Sequence, residues 1–215
     1  MRFNALRYRD FPIINSMHVA IDTIQSSVVP ILIGIIFGKI ALGYYTFALR
    51  VIGIPVSLVS STTAQIFFQR ASEKFSSGSK IYPLVSKLQT HLSIIVIPIF
   101  LILMSVAPML FGQLFGTEWM PAGEVTRILG PWFAINMVAS AISQLPIILG
   151  KQKEAFYVAV TGKIILLASL AISWVYKLDM FAAFLILSLL MSIYTIYVIW
   201  WSNRIAIKRD IESAA

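Results

Sequence analysis

The sequence predicts an all-α polytopic membrane protein in which about six transmembrane helices form a single bundle. Two observations indicate this fold class. The chain has 215 residues, of which 59% are hydrophobic and 12% charged, and a soluble domain cannot bury so large an apolar fraction. The apolar residues also fall into runs that reach the ~20 residues a helix needs to cross ~30 Å of hydrocarbon. Helices are expected because lipid cannot hydrogen-bond to an open backbone.

The apolar runs follow one another along residues 1–215, and we interpret them as one six-helix unit. The predicted spans cover about residues 12–37, 41–68, 87–111, 122–148, 155–176 and 180–201. Between the second and third spans, residues 69–86 are polar and are predicted to form a cytoplasmic loop with some surface helix. Pro30 and Pro55 fall inside the first two spans, where the loss of a backbone donor is expected to bend each helix.

The distribution of positive charge predicts that both termini face the cytoplasm. The basic residues placed on the cytoplasmic side are Arg2, Arg7, Arg9, Arg70, Lys74, Lys80, Lys87, Lys151, Lys153, Arg204, Lys208 and Arg209. The basic residues placed on the outer side are Lys39, Arg127 and Lys177. This asymmetry is typical of an N-in, C-in protein. The aromatic residues support the same orientation. Trp119 and Trp132 are predicted near the outer membrane interface, and Trp200 and Trp201 are predicted near the inner one.

The net charge of +8 is therefore assigned to membrane topology and anionic headgroups rather than to nucleic acid. The chain has no cysteine, which excludes disulfides, thiol catalysis and cysteine metal sites. It also lacks the G-x-x-x-x-G-K-[ST] motif of phosphate-binding loops and the H-E-x-x-H and G-x-S-x-G motifs of hydrolases. We therefore expect no enzyme activity, no cofactor and no metal site.

The first predicted span carries polar side chains on one face. Asn15, His18, Asp22 and Gln25 recur at spacings of three and four residues, which align along a helix. Two interpretations stay open: the face lines a water-filled cavity, or it hydrogen-bonds to neighbouring helices. His18 either titrates together with Asp22, four residues on, or serves only in packing.

The second predicted span carries another polar face, formed by Arg50, Ser57, Ser61 and Gln65. Asp22 lies ~15 Å from the inner end of its span, and Arg50 lies ~14 Å from the outer end of its own. Both therefore approach the middle of a ~30 Å core. Two hypotheses follow: Arg50 and Asp22 form a structural ion pair, or Arg50 binds an anionic headgroup and is held by Asp22 when no substrate is bound. A guanidinium suits phosphate because its planar fork contacts two oxygens.

Lys163 places a further cation inside the fifth predicted span, ~12 Å from the inner end. Its long side chain either extends to the inner interface or adds a second cation to the cavity. The candidate substrate-binding residues are thus Arg50, Asp22, His18, Asn15, Gln25, Ser57, Ser61, Gln65 and Lys163.

A set of short motifs runs through residues 8–135. It comprises Tyr8, Phe11-Pro12, Pro30, Gly43-Tyr44-Tyr45, Ala48, Arg50, Pro55, the run 65–71, Phe115-Gly116, Trp119, Ala122-Gly123, Leu129 and Pro131-Trp132. Together these motifs resemble the C-terminal half of polysaccharide flippases (O-antigen, capsule or teichuronic-acid type). These flippases belong to the MATE-like multidrug/oligosaccharidyl-lipid/polysaccharide (MOP) exporter superfamily. After residue 135 the resemblance rests on the helix pattern alone.

The resemblance implies one bundle of a MOP/MATE-like transporter that has two six-helix bundles around a central cavity. Such proteins move undecaprenyl-pyrophosphate-linked oligosaccharide from the inner to the outer leaflet of the bacterial inner membrane, for O-antigen, lipopolysaccharide and other surface polysaccharides. Their cavity often carries positive charge, and Arg50 matches the family's arginine in G-Y-Y-x-x-A-x-R, whereas Asp22, His18 and Lys163 match no family motif. The implied partners are membrane lipid, the lipid-linked glycan and a second six-helix bundle, either an N-terminal half or another copy.

The chain differs from this family in supplying one bundle where the family has two. It is expected to be a fragment, a truncated reading frame or a half-transporter that pairs with a second bundle. Three other functions stay open. A MATE-type antiporter would have an acidic rather than a cationic cavity. A membrane enzyme, such as a glycan polymerase or an acyltransferase, would need a longer external loop than the one that carries Glu118, Glu124 and Arg127. An inactive or structural remnant would need neither a charged cavity nor a longer external loop.

Overall fold

A computed structural model describes the backbone of residues 10–213, and the side chains in that range other than those of residues 10–25, 54–55 and 58–60. The described backbone is helical, with no strand in that range. A long helix, Asp10–Ser76, is broken at Gly38 and gives α1 (10–37) and α2 (39–76). The other elements are α3 (Tyr82–Phe115), a 3₁₀ turn (Thr117–Trp119), α4 (Met120–Ser140), α5 (Leu145–Ile148), α6 (Gln152–Val175) and α7 (Met180–Glu212).

Five stretches of the described helices are long and apolar enough to cross a membrane. They are Ser26–Gly53, Tyr82–Phe115, Thr117–Ile148, Gln152–Val175 and Met180–Glu212. These stretches confirm the predicted all-α, multi-pass membrane fold. The first of them contains Gly38 and so takes in parts of both α1 and α2. The count of six spans and the single six-helix unit stay predictions.

α1 and α2 are joined by a break in helical geometry at Gly38. Its backbone angles are φ 86° and ψ 173°, and a positive φ of this kind favours glycine because a Cβ atom would be strained there. The chain folds back at this point, since a Cβ placed on Gly34 would lie 3.2 Å from Leu42 Cδ2 on the other side of the break. The break falls between the first two predicted spans.

The connection between α2 and α3 is shorter than the loop predicted at residues 69–86. α2 continues to Ser76 and α3 begins at Tyr82, which leaves residues 77–81 between the helices. The loop is shorter than predicted because most of the polar residues in 69–74 are good helix formers and continue α2. Pro83 does not prevent α3 from starting here, because the first turn of a helix needs no backbone donor.

The fourth predicted span, 122–148, is interrupted in the structure. α4 ends at Ser140, residues 141–144 form turns, and the short helix α5 follows. Pro146 lies in the first turn of α5, where a helix needs no backbone donor, so it suits the start of a new helix. One apolar run in the sequence is therefore two helices in the structure.

α4 lies at the centre of the bundle and packs against α2, α3 and α7. Buried apolar side chains from α1, α2, α4, α6 and α7 meet in one cluster that includes Ile33, Tyr45, Leu129 and Phe184. The rings of Tyr45 and Phe184 stack with their centroids 5.5 Å apart. This cluster fixes the positions of the helices on either side of α4.

The two ends of the bundle are distinguished by the connections that meet there. At one end, Ile81 from the 77–81 connection, Leu145 of α5 and Ile205 of α7 share a buried cluster. We call this the α5 end. At the opposite end, which we call the Gly38 end, Trp119 packs against Phe47 of α2 with ring centroids 4.5 Å apart.

α7 is longer than a membrane is thick. Its 33 residues extend over ~50 Å, against ~30 Å of hydrocarbon. The guanidinium carbon of Arg204 lies 4.7 Å from the ring centroid of Trp200, and this pairing of aromatic and basic residues is typical of a membrane interface. We therefore place the membrane boundary near Trp200 and the final turns of α7 outside the membrane.

Asp210, in these final turns, caps α3 from another helix. Its buried carboxylate accepts hydrogen bonds from Ile81 N at 2.9 Å and from Tyr82 N at 2.8 Å, whereas the side chain of Ile81 itself supplies no cap. Burial alone would raise the pKa of Asp210. The hydrogen bonds from the two backbone N–H groups and from Arg209 outweigh burial and hold the pKa below its usual value.

Arg209 contacts the same connection from the neighbouring position. It donates to the carbonyl of Phe75 at 3.2 Å and to that of Ser79, and its guanidinium carbon lies 5.1 Å from the ring centroid of Phe75. Together with Asp210, it ties α7 to the end of α2 and the start of α3. We call Arg209 and Asp210 the α7 clasp.

Candidate functional site

A stripe of polar side chains runs along the exposed face of α2. The four residues, which we call the polar stripe, are Arg50, Ser57, Ser61 and Gln65, and all are exposed in this chain. Because consecutive helical residues are ~100° apart, these positions fall within ~80° of arc and extend over ~22 Å of helix. The buried residues Tyr45, Ala48 and Ile52 lie on the opposite side of α2. The packing of that side against the core therefore turns the polar stripe outward.

The polar stripe is unsuited to contact with lipid. Insertion scales assign ~2.5–3.5 kcal/mol to an arginine at the centre of a membrane helix. Ser57 and Ser61 have interactions within the chain, but the exposed guanidinium of Arg50 still requires a polar environment. The stripe therefore needs either water or another protein surface beside it.

The predicted polar face of α1 falls outside the described side chains. Its residues are Asn15, His18, Asp22 and Gln25. Counted along the two helices from the break at Gly38, Asp22 is ~24 Å and Arg50 is ~18 Å away, a difference of about one helical pitch. The pairing of Asp22 with Arg50 and the role of His18 stay predictions.

Lys163 lies apart from the polar stripe. It lines a cavity of about 460 Å³ between α4, α6 and α7, which we call the α4–α6–α7 cavity. The polar residues of its wall are Trp132, Asn136, Ser140, Ser143, Lys163, Tyr194, Thr195, Trp201 and Ser202. Among the residues that the structure describes, none from α1 or α2 lines this cavity. Arg50 and Lys163 therefore lie at separate sites in the structure, although the sequence left open that both face one cavity.

Trp132 is in the wall of this cavity rather than near the outer interface predicted for it. It lies ~18 Å along α4, a helix ~32 Å long that begins at Met120, and so it is near the middle of the span. Its Nε1 is buried and has no hydrogen-bond partner in the described part of the chain. The sequence held a signal for this wall, because Trp132, Asn136 and Ser140 are four residues apart and share one face of a helix.

Three exposed ion pairs join residues that belong to neither polar site. Arg127 pairs with Glu124, Lys151 pairs with Glu154 at 2.7 Å, and Lys208 pairs with Glu212 at 3.9 Å. Exposed pairs of this kind contribute about 0–1 kcal/mol. Within the described residues, no three His, Asp or Glu side chains are grouped so that they could hold a metal ion.

The comparison with protein families gives one match. Residues 6–124, more than half of the chain, match a family described as polysaccharide biosynthesis protein. Neither the search of curated proteins nor the search of solved structures gave a match. The matched segment covers α1, α2 and α3 and contains the whole polar stripe. It ends before the first residue that lines the α4–α6–α7 cavity.

Proposed function

Because the chain belongs to the family of polysaccharide biosynthesis proteins, we propose that it forms one half of a transporter for lipid-linked oligosaccharide. The proposed substrate is an undecaprenyl-pyrophosphate-linked glycan, which crosses the bacterial inner membrane to supply O-antigen or another surface polysaccharide. The chain would work by alternating access and would catalyse no covalent step. The observation that carries this proposal is the exposed polar stripe, in which Arg50 lies ~18 Å along α2 from the Gly38 end.

The polar stripe supports a half-transporter because a second protein surface would supply the polar environment that Arg50 needs. A second six-helix bundle, from the same protein or from another copy, would face the stripe and enclose a polar space between the two bundles. Transporters built from paired repeats place their substrate at this interface. The exposed face of α2 would then be one wall of a shared cavity rather than a surface in contact with lipid.

Arg50 has the chemistry to recognise the pyrophosphate of such a substrate. Its guanidinium offers two parallel N–H donors, which match two phosphate oxygens. Its position ~18 Å from the Gly38 end lies close to the centre of a ~30 Å hydrocarbon core. The headgroup of a translocated lipid has to pass this depth, and a charge–charge contact is stronger there than in water. Asp22 would hold the guanidinium when no substrate is bound.

The charges at the two ends of the bundle support an orientation with the α5 end in the cytoplasm. The basic residues near the α5 end are Lys74, Lys80, Lys151, Lys153, Lys208 and Arg209. Those near the Gly38 end are Lys39, Arg127 and Lys177. An excess of basic residues is typical of the cytoplasmic side, so the proposed topology is N-in and C-in.

The test is export of surface polysaccharide by cells that carry the complete transporter with single substitutions in this chain. Arg50→Ala is expected to lower export ~10- to 100-fold, because hydrogen bonds to charged groups contribute ~1.5–3 kcal/mol. Arg50→Lys keeps the charge but not the planar fork, so an intermediate loss is expected. Arg70→Ala is the matched control, since Arg70 is also exposed but lies ~160° from Arg50 around α2.

Two outcomes would count against this role of Arg50. Normal export by Arg50→Ala, at wild-type protein levels, would exclude a function in headgroup binding. If Arg50 serves only as the partner of Asp22, then Arg50→Ala and Asp22→Asn should lower the melting temperature by similar amounts, and the exported amount should follow the amount of folded protein.

A further inference from the structure

The α4–α6–α7 cavity is a second polar site, and its wall already brings together three helices of this chain. Its volume of about 460 Å³ lies in the range of ligand pockets, ~300–1,000 Å³. This volume equals that of about 15 water molecules in the liquid, at ~30 Å³ each. The cavity is therefore far larger than the space for the one water molecule that a single buried N–H group needs. Every lining residue comes after the segment that matches the family.

Three groups in the cavity wall can donate hydrogen bonds but cannot accept them, namely the indoles of Trp132 and Trp201 and the ammonium group of Lys163. The indole N–H of Trp132 is buried without a partner among the described residues. Lys163 is half-buried, ~16 Å from the start of α6. Lys163 already interacts within the chain, but an ammonium group has three N–H donors. Since charge placed this deep in a membrane helix usually has a function, these donors indicate an anionic acceptor.

Hydroxyl groups in the same wall offer acceptors rather than donors. Tyr194 and Thr195 donate to backbone carbonyls at 2.8 and 2.7 Å, respectively. Their hydrogens are therefore already used, while each oxygen keeps the capacity to accept. A ligand that reaches them has to bring its own O–H or N–H groups.

We propose that the α4–α6–α7 cavity binds a phosphate ester that carries free hydroxyl groups. The phosphate accepts hydrogen bonds from Trp132 Nε1 and Lys163, and the ligand hydroxyls donate to Tyr194 and Thr195. The ester is either a lipid headgroup, as in phosphatidylglycerol, or a water-soluble compound such as glycerol phosphate. A choline headgroup has a phosphate that can accept hydrogen bonds but no group that can donate one. It would therefore pair with the donors of the wall and leave the hydroxyl oxygens without a hydrogen bond from the ligand.

Binding is measured by isothermal titration of the full chain in a nonionic detergent. The three probes are dioctanoyl-phosphatidylglycerol, dioctanoyl-phosphatidylcholine and glycerol 1-phosphate. We expect phosphatidylglycerol to bind at least about tenfold more tightly than phosphatidylcholine, a difference equal to one charge-assisted hydrogen bond. Additional binding of glycerol 1-phosphate assigns the site to the ester itself, and its absence assigns the site to a lipid. Equal affinity for the two lipids, or no binding of any probe, overturns the proposal.

Substitutions in the cavity wall test whether the ligand binds in this cavity. Lys163→Met is expected to weaken phosphatidylglycerol binding about tenfold or more. Lys153→Met is the matched control, because Lys153 is exposed on the same helix and does not line the cavity. Equal losses in the two variants would show non-specific attraction and would overturn the proposal. Trp132→Phe keeps an aromatic ring but removes the N–H, so a folded Trp132→Phe protein with unchanged affinity would also overturn it.

Discussion

Replacing Asp210 should release the start of α3 from the end of α7. The carboxylate accepts from Ile81 N at 2.9 and 3.0 Å and from Tyr82 N at 2.8 Å, and Asp210 is 7% exposed. Loss of a helix cap costs ~0.5–2 kcal/mol, and a buried donor left without a partner costs ~1–3 kcal/mol. Asp210→Ala is therefore expected to lower the free energy of unfolding by about 2–4 kcal/mol. Asp210→Asn, whose amide oxygen can still accept, should cost about half as much.

The measurement combines thermal unfolding in detergent with limited proteolysis. At ~2–4 °C per kcal/mol for a chain of this size, the melting temperature of Asp210→Ala should fall by about 5–15 °C. Cleavage should become faster in the 77–81 connection, because that segment loses its contact with α7. Glu212→Ala, which removes a carboxylate from an exposed pair two residues further on, should melt like the wild type. A wild-type melting temperature for Asp210→Ala would refute the capping argument.

The pH dependence of this contribution follows from the lowered pKa of Asp210. A carboxyl group whose pKa is lower in the folded state stabilises the protein fully above its unfolded pKa, about 4, and loses this effect as the pH falls through the folded pKa. Asp210→Asn has no group that titrates at this position. The difference in melting temperature between wild type and Asp210→Asn should therefore shrink below about pH 4. A difference that stayed constant to low pH would show that the carboxylate charge contributes nothing.

Two glycine substitutions test the helix packing. Gly123→Ala would place a Cβ 2.6 Å from the backbone oxygen of Ala107, which cannot rotate away, so the free energy of unfolding should fall by about 1–3 kcal/mol. Gly43→Ala, with nothing within 4 Å of its Cβ, is the control, and equal melting temperatures would contradict the close approach of α3 and α4. Gly162→Ala would place a Cβ 2.5 Å from the Tyr194 ring, a side chain that can move. A smaller loss of stability is expected, with weaker binding of dioctanoyl-phosphatidylglycerol, and unchanged affinity would show that Tyr194 does not shape the cavity.

The helices and the polar stripe could be predicted from the sequence because both are local properties. Apolar runs of the length needed to cross a membrane indicate helices without any knowledge of the partners. The spacing of Arg50, Ser57, Ser61 and Gln65 places them on one face of any helix that contains them. The structure then shows that this face of α2 is exposed, which the spacing alone cannot decide. Packing of Tyr45 and Ile52 into the core determines it.

The α7 clasp and the α4–α6–α7 cavity could not be predicted, because both depend on residues that are distant in sequence. Asp210 and Ile81 are 129 positions apart, and an aspartate near the end of a charged helix looks like an ordinary surface residue. The cavity brings together three helices, so neither the depth of Lys163 nor the position of Trp132 indicated that they share a wall. The frequency of tryptophan at membrane interfaces predicts an interfacial Trp132, but the start of α4 at Met120 puts it near the middle of the span.

The separation of Arg50 from Lys163 has a consequence for experiments on transport. The polar stripe lies on one exposed helix face, whereas the wall of the partly open α4–α6–α7 cavity brings together three helices of this chain. Ligand binding to the cavity is therefore measurable on the chain alone, while the effect of Arg50→Ala on export is measured on the proposed complete transporter. If the two sites act independently, Arg50→Ala should leave phosphatidylglycerol binding unchanged in the isolated chain. A loss of that binding would mean that Arg50 contributes to the cavity through α4, the helix that packs against both α2 and α7.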